Sequence, residues 1–307
     1  MKYYIGIDLG GTNVRTLLVD ENGVVHSEVK DSTESNKGPD YVCEKIIKQI
    51  ESLDTVVCGG LKGVGGIGIG VPGPVDTKNG YMIMATNLPG FEKYPICNKL
   101  TEHFNLPVFI DNDANVAGLA EALLGAGKGY STCYYVTIST GVGGAFIVDG
   151  KLVSGGRGHA GEIGNIIVKN NGYKISGLNP GCAEAEASGT AITRKGKELL
   201  GEDKVRHAGD VFELAANGDT IAMGIVDDVI SMWATMFANV AHTVDPYCFV
   251  LGGGVMKSKR YFLDRLTEQF NQKIHVGMRG HIPFLTTELE DCGAIGAAML
   301  PMSRLPK

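Results

Sequence analysis

Cysteine occurs in this 307-residue chain, but not in a pattern that builds a framework. The seven residues stand at 43, 58, 97, 133, 182, 248 and 292, an odd number with no C-x-x-C pair. That spacing argues against disulfides and against a cysteine zinc site, and it suits a reducing cytoplasm. The chain also lacks a run of about 18 apolar residues, the length a membrane-spanning helix needs. Asp8 arrives before a signal-peptide core can form. Positive charge is not in excess: 28 Lys and Arg face 34 Asp and Glu, for a formal charge of −6. Without a polyanion footprint, neither nucleic acid nor a membrane is expected as a partner.

What is plentiful is glycine, at 44 residues with no three-residue period, which excludes collagen. Apolar runs recur from end to end and argue against disorder. Short strands at 3–7, 16–19, 66–71, 108–110, 134–138, 145–148 and 247–251 alternate with helical patterns. The helices are expected after Pro39 and over 94–104, 116–124, 184–200, 219–244, 259–270 and 293–300. The class is α/β. Met232, Met236 and Trp233 fall at helical spacing and read as packing residues. The order strand, Gly/Thr loop, strand, Asx-Gly turn occurs twice, about 130 residues apart, as in a duplicated core. The expected division is residues 1–112, joined by the C-terminal segment 293–307, and residues 113–292.

Three glycine-rich loops follow strands, at 8–12, 139–144 and 252–254. Glycine permits close backbone approach to phosphate, and turn amides form anion nests. No loop is a Walker motif, and none has dinucleotide-fold spacing ahead of a helix. Each alone reads as an ordinary turn; together they favour a nucleotide site in which Thr12 and Thr140 offer hydroxyls and amides. Asp8 ends the first strand, where a carboxylate either holds Mg2+ or caps a turn. Asp113 follows a buried strand and precedes a helix. A carboxylate there either takes the proton of a hydroxyl attacking a phosphoryl group or caps the helix. Asp111 shares the capping alternative, and Asn112 is placed to hold the acceptor. Glu162 lies among small residues that leave room for a ligand, and Glu184 sits near a helix start.

In this order the residues resemble the ROK family (repressor, open reading frame, kinase) within the actin, Hsp70 and hexokinase fold group. The resemblance covers nearly the whole chain. It implies a two-lobed actin-like, ribonuclease H-like ATPase fold with an interdomain cleft. Asp8-Leu9-Gly10-Gly11-Thr12, continued by Asn13, looks like the first phosphate loop, with Asp8 the magnesium-associated carboxylate, acting directly or through water. Thr140-Gly141-Val142-Gly143-Gly144 looks like the second phosphate loop, and Gly253 and Gly254 like the adenosine-side motif. Asn87 belongs to a segment resembling a sugar-side loop. Asn112-Asp113-Ala114-Asn115 is similar to the catalytic segment, which makes Asp113 the implied general base and Asn112 a sugar ligand. Glu162 and Glu184 match carboxylates that bind sugar hydroxyls. Two positions depart from the family pattern. Asn165 stands where many members have a sugar-contacting, zinc-binding His, and Cys182 alone remains of a zinc-binding cysteine cluster, so zinc is not expected. Ser139 replaces a usual Gly.

The resemblance implies an ATP- and Mg2+-dependent kinase acting on the 6-hydroxyl of a hexose, glucose first. N-acetylmannosamine, N-acetylglucosamine, fructose, allose and β-glucosides are alternatives. A homodimer or homotetramer is implied. A non-catalytic sugar or nucleotide sensor is the rival class, and an actin-like ATPase a third.

Overall fold

The computed structural model describes residues 1–85 and 87–305. The elements begin with β1 (Tyr3–Leu9), β2 (Asn13–Asp20), β3 (Val25–Ser32), α1 (Pro39–Ser52), β4 (Val64–Val71), β5 (Val75–Asp76) and β6 (Tyr81–Met82). There follow α2 (Ile96–Phe104), β7 (Val108–Asn112), α3 (Asp113–Leu123), β8 (Thr132–Ile138), β9 (Val142–Val148) and β10 (Lys151–Leu152). The rest comprises α4 (Ala183–Ala187), α5 (Gly189–Leu200), α6 (Ala208–Ala216), α7 (Thr220–Val244), β11 (Cys248–Gly252), α8 (Leu263–Lys273), β12 (Phe284–Thr286) and α9 (Cys292–Arg304). Two five-stranded sheets run in the orders β3-β2-β1-β4-β7 and β10-β9-β8-β11-β12. Helices alternate with the strands of both sheets, the α/β class expected.

The chain separates into two compact units. Unit 1 holds residues 1–131, 145–160 and 288–307; unit 2 holds 132–144 and 161–287. α3 therefore lies in unit 1, beyond the expected boundary at 112, and α9 lies there too. Of the expected C-terminal segment, 306 and 307 fall outside the described residues.

In unit 1 the period of two decides which face each side chain takes. Ile5, Ile7 and Leu9 of β1 join Ile67, Ile69, Val42, Ile46 and Leu100 in one core. Tyr4 on the opposite face joins Val116, Leu119, Ala298 and Leu300 in another. Gly6, Gly68 and Gly70 are on that second face. A Cβ on Gly68 would overlap the Ala297 carbonyl, and one on Gly6 would overlap that of Ala294. Glycine here lets α9 lie against the sheet backbone. On the other side of α9, Gly296 is held as closely against the Val116 carbonyl, which ties α3 to this unit.

In unit 2, β8 and β11 pair in parallel, Val136 opposite Leu251. The 25-residue α7 buries Trp233, Met236 and Phe237 completely. By length and a mean hydropathy of 1.4, α7 could cross a membrane; here 61% of that stretch is buried within the protein. α6 has no counterpart among the expected helices, and two further helices differ from expectation. The stretch 184–200 breaks at Ser188, whose backbone is extended and whose Oγ accepts the Ala191 N–H at 3.1 Å, capping α5. The stretch 259–270 begins as a 3-10 turn over Gly254–Tyr261, and α8 starts only at Leu263.

Candidate active site

Unit 1 gathers Asp8, the first glycine loop, Asn112 and Asp113. β1 delivers Asp8 opposite Arg15 of β2. The loop closes on itself, with Gly10 N–H on the Asn13 carbonyl at 2.9 Å and Thr33 N–H on the Thr12 carbonyl at 2.8 Å. Thr33 and Ser35 hydroxyls hold the Gly10 and Gly11 carbonyls at 2.6 and 3.1 Å. Thr12 and Asn13 stay exposed. Asn87 is brought beside this loop, because its carbonyl lies 2.5 Å from where a Gly11 Cβ would stand.

The three polar residues after β7's apolar run have separate tasks. Asp111 is 1% exposed and pairs with Arg304 of α9. Its other oxygen accepts from Asn115 Nδ2 at 2.6 Å and from Asn112 N–H at 2.8 Å. Asn112 caps α3: its Oδ1 accepts the Ala114 N–H at 2.8 Å while Nδ2 donates to the Gly73 carbonyl at 3.1 Å. Asp113 shares the Ala114 N–H through Oδ1 at 2.7 Å and is exposed. Asn112 and Asp113 thus share the cap of α3, and the Asp113 carboxylate stays exposed.

Although Asp113 keeps solvent-accessible surface, the protein around its carboxyl removes enough water to raise its pKa. The Ala114 N–H opposes that shift, and the negative charge of Asp8 adds to it. Asp8 is raised as well, first by burial and then by Asp291, against the pull of Arg15. Among the described residues the Asp8 carboxylate accepts no hydrogen bond, so a hard oxygen donor is free for a cation.

Unit 2 gathers the second loop with Glu162, Asn165 and Glu184. Ser139 N–H donates to the Gly141 carbonyl at 2.9 Å, leaving Thr140 exposed at the tip. Glu184 Oε2 accepts the Val142 N–H at 2.8 Å and leaves no room for a side chain at Gly141. The 162–165 turn packs here too, since Gly164 lies against the Val142 carbonyl and 3.5 Å (from its would-be Cβ) from Glu184 Cβ. Asn165 N–H donates to the Glu162 carbonyl at 3.1 Å. Burial raises the Tyr134 pKa, and the nearby Glu162 charge adds to that.

Unit 2 also has a cavity of about 870 Å³. Ser139, Thr140 and Gly254 line it with the cations Arg194, Lys257 and Arg260, and Glu198, Glu202 and Glu213 line it too, Glu198 paired with Arg194 at 3.2 Å. Gly141, Gly143 and Gly253 are not among its lining residues; Gly253, at φ 91°, turns the chain behind it against the Ile138 carbonyl. Sequence reasoning missed the cations. Lys257 carried a faint signal in standing three residues after Gly254.

A zinc site does not fit these residues. Cys182 is buried at the start of α4, and Asn165 offers a neutral amide. Among the described residues no three His, Cys, Asp or Glu are grouped to hold a metal.

A family model described as "ROK family" matches residues 4–304. A glucokinase of Halalkalibacterium halodurans is 31% identical, with 97% of this chain and 94% of that protein covered. A ROK hexokinase of Thermus thermophilus has a structure with TM-score 0.85 and 31% identity, covering 97% of each chain. A ROK family glucokinase of Streptomyces griseus, solved with glucose and AMPPNP, gives TM-score 0.73 at 30% identity, covering 97% of this chain and 98% of that one.

Proposed function

The chain belongs to the ROK family, and we propose that it transfers the γ-phosphoryl group of ATP to the 6-hydroxyl of a hexose, glucose first. The observation that carries this reading is Asp113: an open carboxylate at a strand-to-helix junction, with a pKa raised by its surroundings and by Asp8. A raised pKa strengthens a carboxylate as a base. Asp113 takes the proton of the sugar hydroxyl, the sugar oxygen bonds to the γ-phosphorus, and the bond to the bridging oxygen breaks. ADP leaves with that electron pair. Asp8 is suited to hold Mg2+, which when bound neutralises phosphate charge.

The amides and hydroxyls at Thr12 and Thr140 suit phosphate oxygens. The unit 2 cavity suits a nucleotide by volume, and Thr140 and Gly254 lie at its wall with Lys257 and Arg260. Glu162, Asn165 and Glu184 are assigned to sugar hydroxyls, as are Asn87 and the remaining hydrogen-bonding capacity of Asn112. Asn165 keeps a donor and an acceptor where a His would carry its own. The partners are then small molecules, handled in the cytoplasm by a homodimer or homotetramer.

The test is coupled detection of ADP with ATP, Mg2+ and a panel of glucose, N-acetylmannosamine, N-acetylglucosamine, fructose, allose and a β-glucoside. The expected result is hexose-dependent ADP release, fastest with glucose. Sugar binding without turnover would mark a sensor, and turnover indifferent to sugar would mark an ATPase.

A further inference from the structure

The stretch 166–182, Ile-Ile-Val-Lys-Asn-Asn-Gly-Tyr-Lys-Ile-Ser-Gly-Leu-Asn-Pro-Gly-Cys, has almost no regular structure and little to bury. It leaves directly from Asn165 and returns two residues before Glu184. Its base is closed by a bridge between Ile167 and Cys182 and by Ala183 N–H on the Ile166 carbonyl at 2.8 Å. Val168 and Lys169 N–H groups both donate to the Gly181 carbonyl, at 2.9 and 3.1 Å. A chain of this kind needs an anchor beyond its base.

Glu186 supplies one. It is 2% exposed, and its Oε1 accepts the Tyr173 N–H while Oε2 meets Lys195 Nζ at 3.0 Å. Gly172 packs closely on both Oε1 and the Gly181 Cα, so a side chain there would overlap the carboxylate and the backbone of the returning chain. Arg194 lies 3.5 Å over the Tyr173 ring, clamping the same turn from outside. α4 is itself fixed from behind, since Trp233 Nε1 donates to the Ala187 carbonyl at 2.9 Å. Burial alone would raise the Glu186 pKa; the Tyr173 amide and Lys195 outweigh it and keep the group charged. A buried ion pair of this kind is a poor source of net stability compared with apolar packing. What it does supply is a fixed register for groups that could otherwise slide.

We propose that Glu186 is a positioning residue for the sugar side of the site, its buried carboxylate holding residues 166–182 so that Asn165 and Glu184 keep their spacing. The proposal rests on the kinase reading above. It assigns the anchoring to a carboxylate and a lysine, and it gives Glu186 no contact with substrate.

The full chain is tested as Glu186→Gln and as Lys195→Met, which leaves the carboxylate in place but removes its cation. Hexose KM should rise about tenfold or more, as misplacement of a positioned group costs, while kcat and ATP KM stay within about twofold. Amide hydrogen exchange should speed up across 166–182 and not across 139–144. A folded variant with unchanged hexose KM overturns the proposal, as does one in which kcat and both KM values shift together. If Glu186→Gln fails to fold, Lys195→Met decides by the same measurements. Wild-type protein that releases no ADP with any hexose would overturn the kinase reading instead. Hydrogen exchange across 166–182 would then decide the anchor by itself: accelerated exchange in the variants supports it, and unchanged exchange overturns it.

Discussion

Glu184 Oε2 accepts the Val142 backbone N–H at 2.8 Å, so one carboxylate touches the second glycine loop from the helix that borders the 162–165 turn. Among the described residues its second oxygen accepts no hydrogen bond. A side chain shared in this way should link two substrates. Glu184→Ala is expected to raise both hexose KM and ATP KM, by about tenfold each for a lost charged hydrogen bond. Glu162→Gln, at a side chain that makes no hydrogen bond to that loop among the described residues, should raise hexose KM and leave ATP KM within about twofold. Initial-rate kinetics with each substrate varied in turn separate the two patterns.

Asp113→Asn should lower kcat by about 10² to 10⁴-fold, the usual contribution of a general base, while ATP binding persists. The raised pKa of Asp113 sets a pH dependence too. The acid limb of kcat/KM should lie above the ordinary Asp value of about 3.9 and vanish in the variant. The effect on stability has the opposite sign. A carboxyl whose folded pKa is raised binds its proton more readily in the folded chain. It therefore favours folding at low pH and opposes it as pH rises through the folded value. Removing the charge at Asp113 should leave Tm at pH 7 equal to or above that of the wild type, as read by calorimetry.

Arg304→Met tests the support beneath that base. Asp111 is almost fully buried and relies on the Arg304 guanidinium, which also donates to the Ile110 carbonyl at 3.2 Å. Leaving one buried charge unpaired costs about 3–5 kcal/mol. Urea unfolding should show a loss of that order. Asp111→Asn together with Arg304→Met should recover part of it, since the orphaned charge is then gone. An unchanged midpoint in the single variant would refute the pairing.

Some of this architecture was readable from residue order. Glycine and threonine after apolar runs marked both loops, and Asp113 between a short apolar run and an alanine-rich stretch marked a strand-to-helix junction. Other features depend on contacts between distant residues. The stretch 184–200 has helical propensity throughout, yet it breaks at Ser188 in a chain held by Ser188's own cap and by the Trp233 bond to Ala187. Nothing local distinguishes Glu184 from Glu186, two residues apart on one short helix, although one faces a loop and the other is buried against Lys195. The place of α3 in unit 1 follows from its close contact with Gly296, some 180 residues away in sequence, beyond any local pattern.

The glycines of β4 give the sharpest stability prediction, because their neighbours differ in kind. A Cβ on Gly68 would overlap the backbone carbonyl of Ala297, and a helix backbone cannot rotate aside. A Cβ on Gly70 would meet Val116 Cγ2 at 2.9 Å, the end of a side chain that can shift slightly. Both positions face α9 and α3, so composition and burial are nearly matched. Gly68→Ala should destabilise by at least the 1–3 kcal/mol typical of overpacking, because α9 as a whole must move off the sheet. Gly70→Ala should stay near the lower end of that range. α9 also carries Arg304, so its displacement in Gly68→Ala should reach Asp111 and lower kcat, whereas Gly70→Ala should lose stability without that loss of turnover. Denaturant unfolding paired with kcat measurements decides the matter, and equal effects at the two sites would mean that the helix does not rest on the β4 backbone as described.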